Sequence, residues 1–196
     1  MQNRIADMIT SLVFALALAQ LPGFFEPNVG QFGEEVLFVA RSTTGLALFT
    51  ESAAVDSNGV IFELPRAKGS KYSLRGRAAG TTNYTGAVFV PRFEKLTRLD
   101  VAPGIDAMFA MNEEGSVDCN FLAREGADPA LLEIIFKGVD RVFLDSKGKL
   151  TLRTMGGKNV EPAIHFFRMV EGRQIAVDIQ PIVRRDGVIT LAELAY

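Results

Sequence analysis

The sequence predicts an all-β fold: an antiparallel β-sandwich, open to division into two packed sub-sheets, behind an N-terminal signal helix. Three observations carry that expectation. Short apolar segments alternate with period two, the pattern of half-buried strands. Gly, Pro, Asn and Asp interrupt these segments at short, regular intervals, as turns between strands do. Almost no long run shows the apolar period of a helix, which leaves a sandwich or barrel as the architecture. Fifteen Phe, no Trp and 18 Gly fit many strands joined by turns.

Residues 1–19 read as a secretory signal peptide and residues 20–196 as one sandwich domain. Arg4 supplies a short n-region, and residues 8–18 are mostly apolar on every face. Ala17-Leu18-Ala19 then offers a small-x-small cleavage pattern before Gln20. That run falls short of the roughly 20 residues a membrane helix needs, so no span is expected in the mature chain. Residues 24–31 are turn-rich and show no strand period. Strands are expected over 36–41, 46–50, 53–55 and 60–64, with Asp56-Ser57-Asn58-Gly59 as a turn. Residues 66–69 read as a loop and 72–77 as a strand. The small, glycine-containing residues 78–83 read as a flexible segment or a boundary between two sheets. Strands over 87–90 and 93–101 follow.

The centre of the chain is a hairpin. Pro103-Gly104 is a turn pair, in which Pro sets φ and Gly supplies the left-handed position. Residues 105–111 form one strand, the polar Asn112-Glu113-Glu114-Gly115 the loop, and the alternating residues 116–122 the second strand. Closing the loop with Met111 opposite Ser116 sets Met108 across from Cys119 and Asp106 across from Phe121. Opposed residues share a face, so Asp106 is expected at the edge of the apolar face. There it needs hydrogen bonds, most simply from backbone N–H groups of its own turn. Cys119 reads as a small core residue.

Beyond the hairpin, Gly126-Ala127-Asp128-Pro129 turns the chain, with Asp128 placed to cap a short helical turn begun by Pro129. Strands are expected over 132–136, 141–144, 149–153, 164–170, 174–183 and 188–194. His165 lies at a strand start among apolar neighbours.

Composition closes off several chemistries. One His and one Cys do not make a zinc site, and no nucleophile turn or phosphate-binding glycine loop is present. Asp145-Ser146-Lys147-Gly148 lacks the alternating oxygen ligands of a calcium loop. A net charge of −2 with no basic run argues against a nucleic-acid partner. The sequence thus singles out no catalytic, cofactor-binding or metal-binding residue, and no cofactor is expected.

Several motifs occur in order: Phe25-Glu26-Pro27-Asn28-Val29-Gly30-Gln31, Asn83-Tyr84 with Gly86, Pro91-Arg92-Phe93, Pro103-Gly104-Ile105-Asp106, Gly126-Ala127-Asp128-Pro129 and Phe136-Lys137-Gly138. In that order they resemble the domain of unknown function that precedes the propeller-type (SBBP) repeats of large secreted bacterial proteins. Ala102 departs from the aromatic that commonly precedes Pro-Gly-Ile-Asp in that family. The resemblance implies a β-sandwich in a secreted or cell-surface protein, with a downstream propeller domain, a surface protein or a glycan as partner. It supplies no catalytic residue. Its motif residues Pro27, Asn28, Gly30, Gln31, Pro103, Gly104, Ile105, Asp106, Gly126, Asp128 and Pro129 are expected to be structural.

The leading functional expectation is a non-enzymatic structural or adhesive module. A carbohydrate-binding sandwich is the alternative; such sites need exposed aromatic platforms, and with no Trp and only Tyr72, Tyr84 and Tyr196 the supply is thin, though Phe can substitute. A two-carboxylate glycosidase is the third, but Asp106 and Asp118, read on opposite faces of the hairpin, make a poor pair.

Overall fold

The computed structural model describes residues 23–84 and 88–193. The signal peptide expected over residues 1–19 lies outside the described residues. The first half of the described chain carries β1 (Gly23–Pro27), β2 (Phe38–Ser42), β3 (Gly45–Phe49), β4 (Ala53–Asp56), β5 (Ile61–Glu63), β6 (Tyr72–Tyr84) and β7 (Val88–Ala102). There follow β8 (Ile105–Met111), β9 (Val117–Ala123), β10 (Glu133–Lys137), β11 (Val139–Leu144) and β12 (Leu150–Thr154). Last come β13 (Asn159–Val160), β14 (Ile164–Val170), β15 (Arg173–Ala176), β16 (Ile179–Val183) and β17 (Val188–Glu193). Single 3-10 turns at Pro65–Ala67 and Pro129–Leu131 supply the helical content of these residues. The fold is all-β.

Two sheets result. Strands β11, β12 and β13 form the small one, and the remaining 14 form one sheet of order β15-β14-β9-β8-β7-β1-β2-β3-β4-β5-β10-β17-β16, with β6 on β7. All pairs are antiparallel except β9 with β14, where Phe121 lies beside Phe166. A parallel neighbour needs a crossover, and residues 124–163 make it, carrying β10 and the whole small sheet on the way.

The large sheet rolls back on itself. Along its inner face Phe38, Phe49, Ala54, Phe62 and Phe136 form one cross-strand row. Leu74, Leu96, Phe109, Cys119 and Ile164 form another. Adjacent strands sit about 4.8 Å apart, so in a flat sheet β5 and β8, six places apart, would be separated by nearly 30 Å. Instead the Phe62 and Phe109 rings lie 6.2 Å apart, and the Phe49 and Phe109 rings 4.9 Å apart in an edge-to-face contact. Near the two ends of the strand order, Arg168 of β14 pairs with Glu193 of β17. The core lies inside this roll, with Leu150 and Leu152 of the small sheet contributing to it.

Several sequence expectations change. Residues 24–31 hold a strand, β1, because pairing with β2 from Gly23 to Pro27 organises a segment that has no alternation of its own. Residues 78–83 are neither a flexible segment nor a boundary. They belong to β6, where a register shift between Arg77 and Thr81 absorbs the extra residues as a bulge opposite β7. The two strands expected over 87–90 and 93–101 are one, β7, running through Pro91. The strand expected over 174–183 is two: β15 pairs with β14 at one end of the strand order and β16 with β17 at the other.

The register of the central hairpin also differs by one residue. Met111 pairs with Val117, Phe109 with Cys119 and Asp106 with Leu122. The cause is Asn112. Its Oδ1 accepts the N–H groups of Glu114 and Ser116 at 3.1 and 2.9 Å, drawing Ser116 into the loop. A one-residue slip reverses every face. Asp106 therefore leaves the apolar face and joins Asp118 on the outer one, while Cys119 stays buried inside.

Candidate functional site

Three clusters of side chains are candidates, and the sequence motifs meet in two of them. In the first, β1 ends at Pro27 and the chain loops to β2. Asn28 holds that loop: its Nδ2 donates to the carbonyls of Gly33 at 3.0 Å and Val36 at 2.8 Å. Its Oδ1 accepts the N–H groups of Gly30 and Phe32, each at 3.1 Å. Gln31 closes the same turn, donating to Pro27 O at 2.9 Å and accepting from Val29 N–H at 2.6 Å.

Beside this loop the bulged β6–β7 arm reaches the outer face of β1 and β2. Tyr84 Oη donates to Glu26 Oε1, and Arg41 Nε donates to the same oxygen at 2.7 Å and to Tyr84 Oη at 2.9 Å. Glu26 is fully buried, and its Oε2 is buried without a hydrogen-bond partner among the described residues. Burial, reinforced by the Glu26 carboxylate, holds the Tyr84 hydroxyl above its ordinary pKa. The arm is also pinned by Arg92, whose guanidinium lies 4.3 Å from the Phe24 ring centroid. Two motifs far apart in sequence, around Glu26 and Tyr84, thus form one clasp.

The second cluster joins the turns Pro103-Gly104-Ile105-Asp106 and Gly126-Ala127-Asp128-Pro129. Ala102 faces Ile105, so Pro103-Gly104 is a two-residue hairpin loop, with Gly104 at φ 74°. A Cβ on Gly104 would come within 3.0 Å of Ala127 Cβ, so glycine also permits the two turns to touch. β7 carries a bulge just before this turn, with Asp100 at φ 51°. Asp106 Oδ1 accepts the Asp100 N–H at 2.8 Å, and Arg124 pairs with Asp100 and lies 3.5 Å from Asp106. Ile105 is fully buried in the core. Gly126 takes a left-handed turn position, φ 77°, and Asp128 Oδ1 accepts Ala130 N–H at 2.9 Å over the 3-10 turn that the buried Pro129 begins.

The third cluster is a cleft at the far end of β8 and β9 from the Pro-Gly turn, where the roll opens. Its volume is about 590 Å³. Phe49, Phe62, Phe109, Phe136 and Leu152 line it together with small residues, Ala40, Ala47 and Ala54 among them. Hydroxyl and amide side chains ring the mouth, including Ser42, Thr44, Asn58, Ser116 and Thr154. Thr44 Oγ1 donates to Gly115 O at 2.8 Å, tying the β2–β3 loop to the β8–β9 loop at the rim.

Other titratable groups stand apart. Cys119 lines the cleft, but burial pushes its thiol pKa far up, with Asp118 adding to the effect, so it stays an un-ionised thiol. His165 is half exposed on β14, its Nε2 3.9 Å from Asp118 Oδ2. Asp106 and Asp118 share the outer face, yet they sit four residues apart along the hairpin, about 13 Å of strand rise, too far for a glycosidase pair.

Two buried charges escaped the sequence reading. Arg98 is 1% exposed on the inner face, donating to Ser70 Oγ at 2.6 Å and to the carbonyls of Glu51 and Ala67. Its guanidinium lies over Tyr72, 5.1 Å from the ring centroid. The signal for Arg98 was its place two residues beyond Leu96, on the inward parity of β7. Glu26, with no alternation around it, gave none.

The profile of a family of domains of unknown function, DUF7948, matches residues 78–190. That span begins within β6, after β1 to β5, and includes the rest of the bulged arm, the central hairpin and both turn motifs of the second cluster. No curated protein and no solved structure matches the chain.

Proposed function

We propose that this chain, which belongs to the DUF7948 family of domains of unknown function, is a non-enzymatic structural or adhesive module of a secreted or cell-surface bacterial protein, one that precedes propeller-type repeats. The observation that carries this reading is how the polar motif residues are used. Asn28, Gln31, Asp106 and Asp128 each hydrogen-bond to backbone of their own or a neighbouring turn. Glu26 and Tyr84 fasten an arm to the sheet. Polar groups committed in this way set backbone geometry and support a rigid frame rather than a reacting centre.

The test is to express the chain from Met1 in a secreting bacterial host and sequence the exported product. A product beginning at Gln20 outside the cytoplasm is the expected result. Retention of an unprocessed chain in the cytoplasm overturns the extracytoplasmic part. Turnover of chromogenic glycosides that is lost on Asp106→Asn or Glu26→Gln overturns the non-enzymatic part.

One observation favours the second reading, a carbohydrate-binding module. Phe89, on the β6–β7 arm, is 63% exposed and offers an open aromatic face. Binding on a glycan panel that disappears in Phe89→Ala would move the assignment to that reading.

A further inference from the structure

We infer that the cleft between the two halves of the rolled sheet is a binding site for an uncharged amphiphile, an apolar body carrying a hydroxyl-bearing head. The walls argue for the body. Protein interiors ordinarily pack to the density of organic crystals, yet here about 590 Å³ stays open inside the roll. The reason is local. Phe49, Phe62 and Phe109 pack ring against ring and hold the two halves apart, while the neighbouring inward positions Ala40, Ala47 and Ala54 are too small to fill the gap. The space has room for on the order of 20 water-sized groups. That is the scale of a small ligand pocket. An apolar lining holds water poorly and takes an alkyl or ring body with a favourable release of surface.

The mouth argues for the head. Hydroxyls and amides dominate the rim. Its charges are used or balanced: Glu161 pairs with Lys149 at 3.0 Å, and Asp56 accepts two N–H groups of its own turn at 2.8 and 2.9 Å. Glu114 and Lys158, of opposite sign, are the other charged residues of the rim. A head of either sign would meet like charge on the rim, Lys158 for a cation and Asp56 or Glu114 for an anion, as it gave up its hydration, whereas a polyol head finds donors and acceptors of its own kind.

The experiment uses the whole chain with N-phenyl-1-naphthylamine as a fluorescent apolar probe. It is expected to bind one per chain, and n-octyl β-glucoside, below its micellar concentration, is expected to displace it. Octyl sulfonate, with the same tail and a charged head, is expected to compete at least tenfold less well. Ala47→Leu narrows the cleft and is expected to weaken the probe at least tenfold, whereas Ala192→Leu, on the outer face of β17, leaves it unchanged. No saturable binding, or binding unaltered by Ala47→Leu in a folded variant, overturns the site. Competition by octyl sulfonate as strong as that of the glucoside overturns the head-group assignment. If Ala47→Leu does not fold, amide shifts of the unaltered protein decide. Changes on adding the glucoside that centre on Ala47, Phe109 and Cys119 uphold the site, and changes elsewhere overturn it.

Discussion

Asn28 satisfies donors and acceptors on both sides of the loop between β1 and β2, so its removal leaves several backbone groups to find water on their own. With net contributions of roughly 0.5–1.5 kcal/mol per hydrogen bond and partial exposure of the loop, Asn28→Ala is expected to cost about 1–3 kcal/mol. Chemical denaturation measures it directly. Asn28→Asp keeps the acceptor and loses the donors, so it falls between the two. Tyr84 carries a pH signature. Burial first, and the Glu26 carboxylate second, raise its pKa in the folded chain above the unfolded value near 10. A raised folded pKa favours the protonated hydroxyl in the native state. The stabilisation is therefore complete below pH ~10 and is lost as pH rises through the folded value. Tyr72, whose hydroxyl donates to Thr50 O at 2.9 Å, is raised by burial as well and adds to the same loss. Melting temperatures of the parent chain and Tyr84→Phe, measured from pH 8 to 11, are expected to converge as pH rises. A constant gap across that range would show that the Tyr84 hydroxyl does not titrate with the clasp.

At the level of elements, Arg98 fastens three pieces of chain. From β7 it reaches Glu51 O in the β3–β4 connection, and Ala67 O and Ser70 in the connection that follows β5. Burial lowers its pKa, an effect that Tyr72 and the Glu51 carboxylate offset only in part, and two carbonyls accept from its guanidinium. Arg98→Ala leaves those acceptors buried and a large void beneath Tyr72. The expected loss is about 3–5 kcal/mol, while Arg98→Lys, which keeps the charge but not the planar fork, recovers part of it. Urea midpoints of the two variants decide the order. The same element explains what was legible in the sequence. Leu96 and the 117–121 alternation announced strands because their period is written in consecutive residues. The hairpin register was not, because one side chain, Asn112, adds a residue to the loop. β1 has no signal in its own residues because its order comes from β2, and 78–83 reads as a flexible segment or boundary because its glycine-containing bulge is a strand only when β7 lies beside it. The cleft is still further from sequence: Ala47 and Phe109 share a wall only after the sheet has rolled.

For the whole molecule, the continuity of the large sheet decides how the chain unfolds. Phe109 sits where the halves meet, against Phe49 on one side and Phe62 on the other. Strands β1 and β7 join those halves through a single pairing, Phe25 with Phe93, so ring packing across the roll carries much of the coupling. Phe109→Ala removes both ring contacts and enlarges an existing cleft, with an expected cost of about 3–5 kcal/mol. Two probes separate a weakened but single transition from a divided one. With no Trp in the chain, Tyr emission comes from Tyr72 and Tyr84 at the two ends of β6 together with Tyr196, and far-ultraviolet circular dichroism reports all strands. In the parent chain the two urea transitions are expected to coincide, as a two-state domain requires. In Phe109→Ala they are expected to shift together if backbone pairing through β1 suffices to couple the halves. A split, with one transition moving and the other staying, would make the aromatic seam rather than the continuous sheet the source of cooperativity. The long crossover between β9 and β14 makes the contacts strongly non-local, so refolding is expected on the millisecond-to-second scale of such β topologies. Phe109→Ala should slow refolding in stopped flow if the seam forms before the barrier, and speed unfolding alone if it forms after.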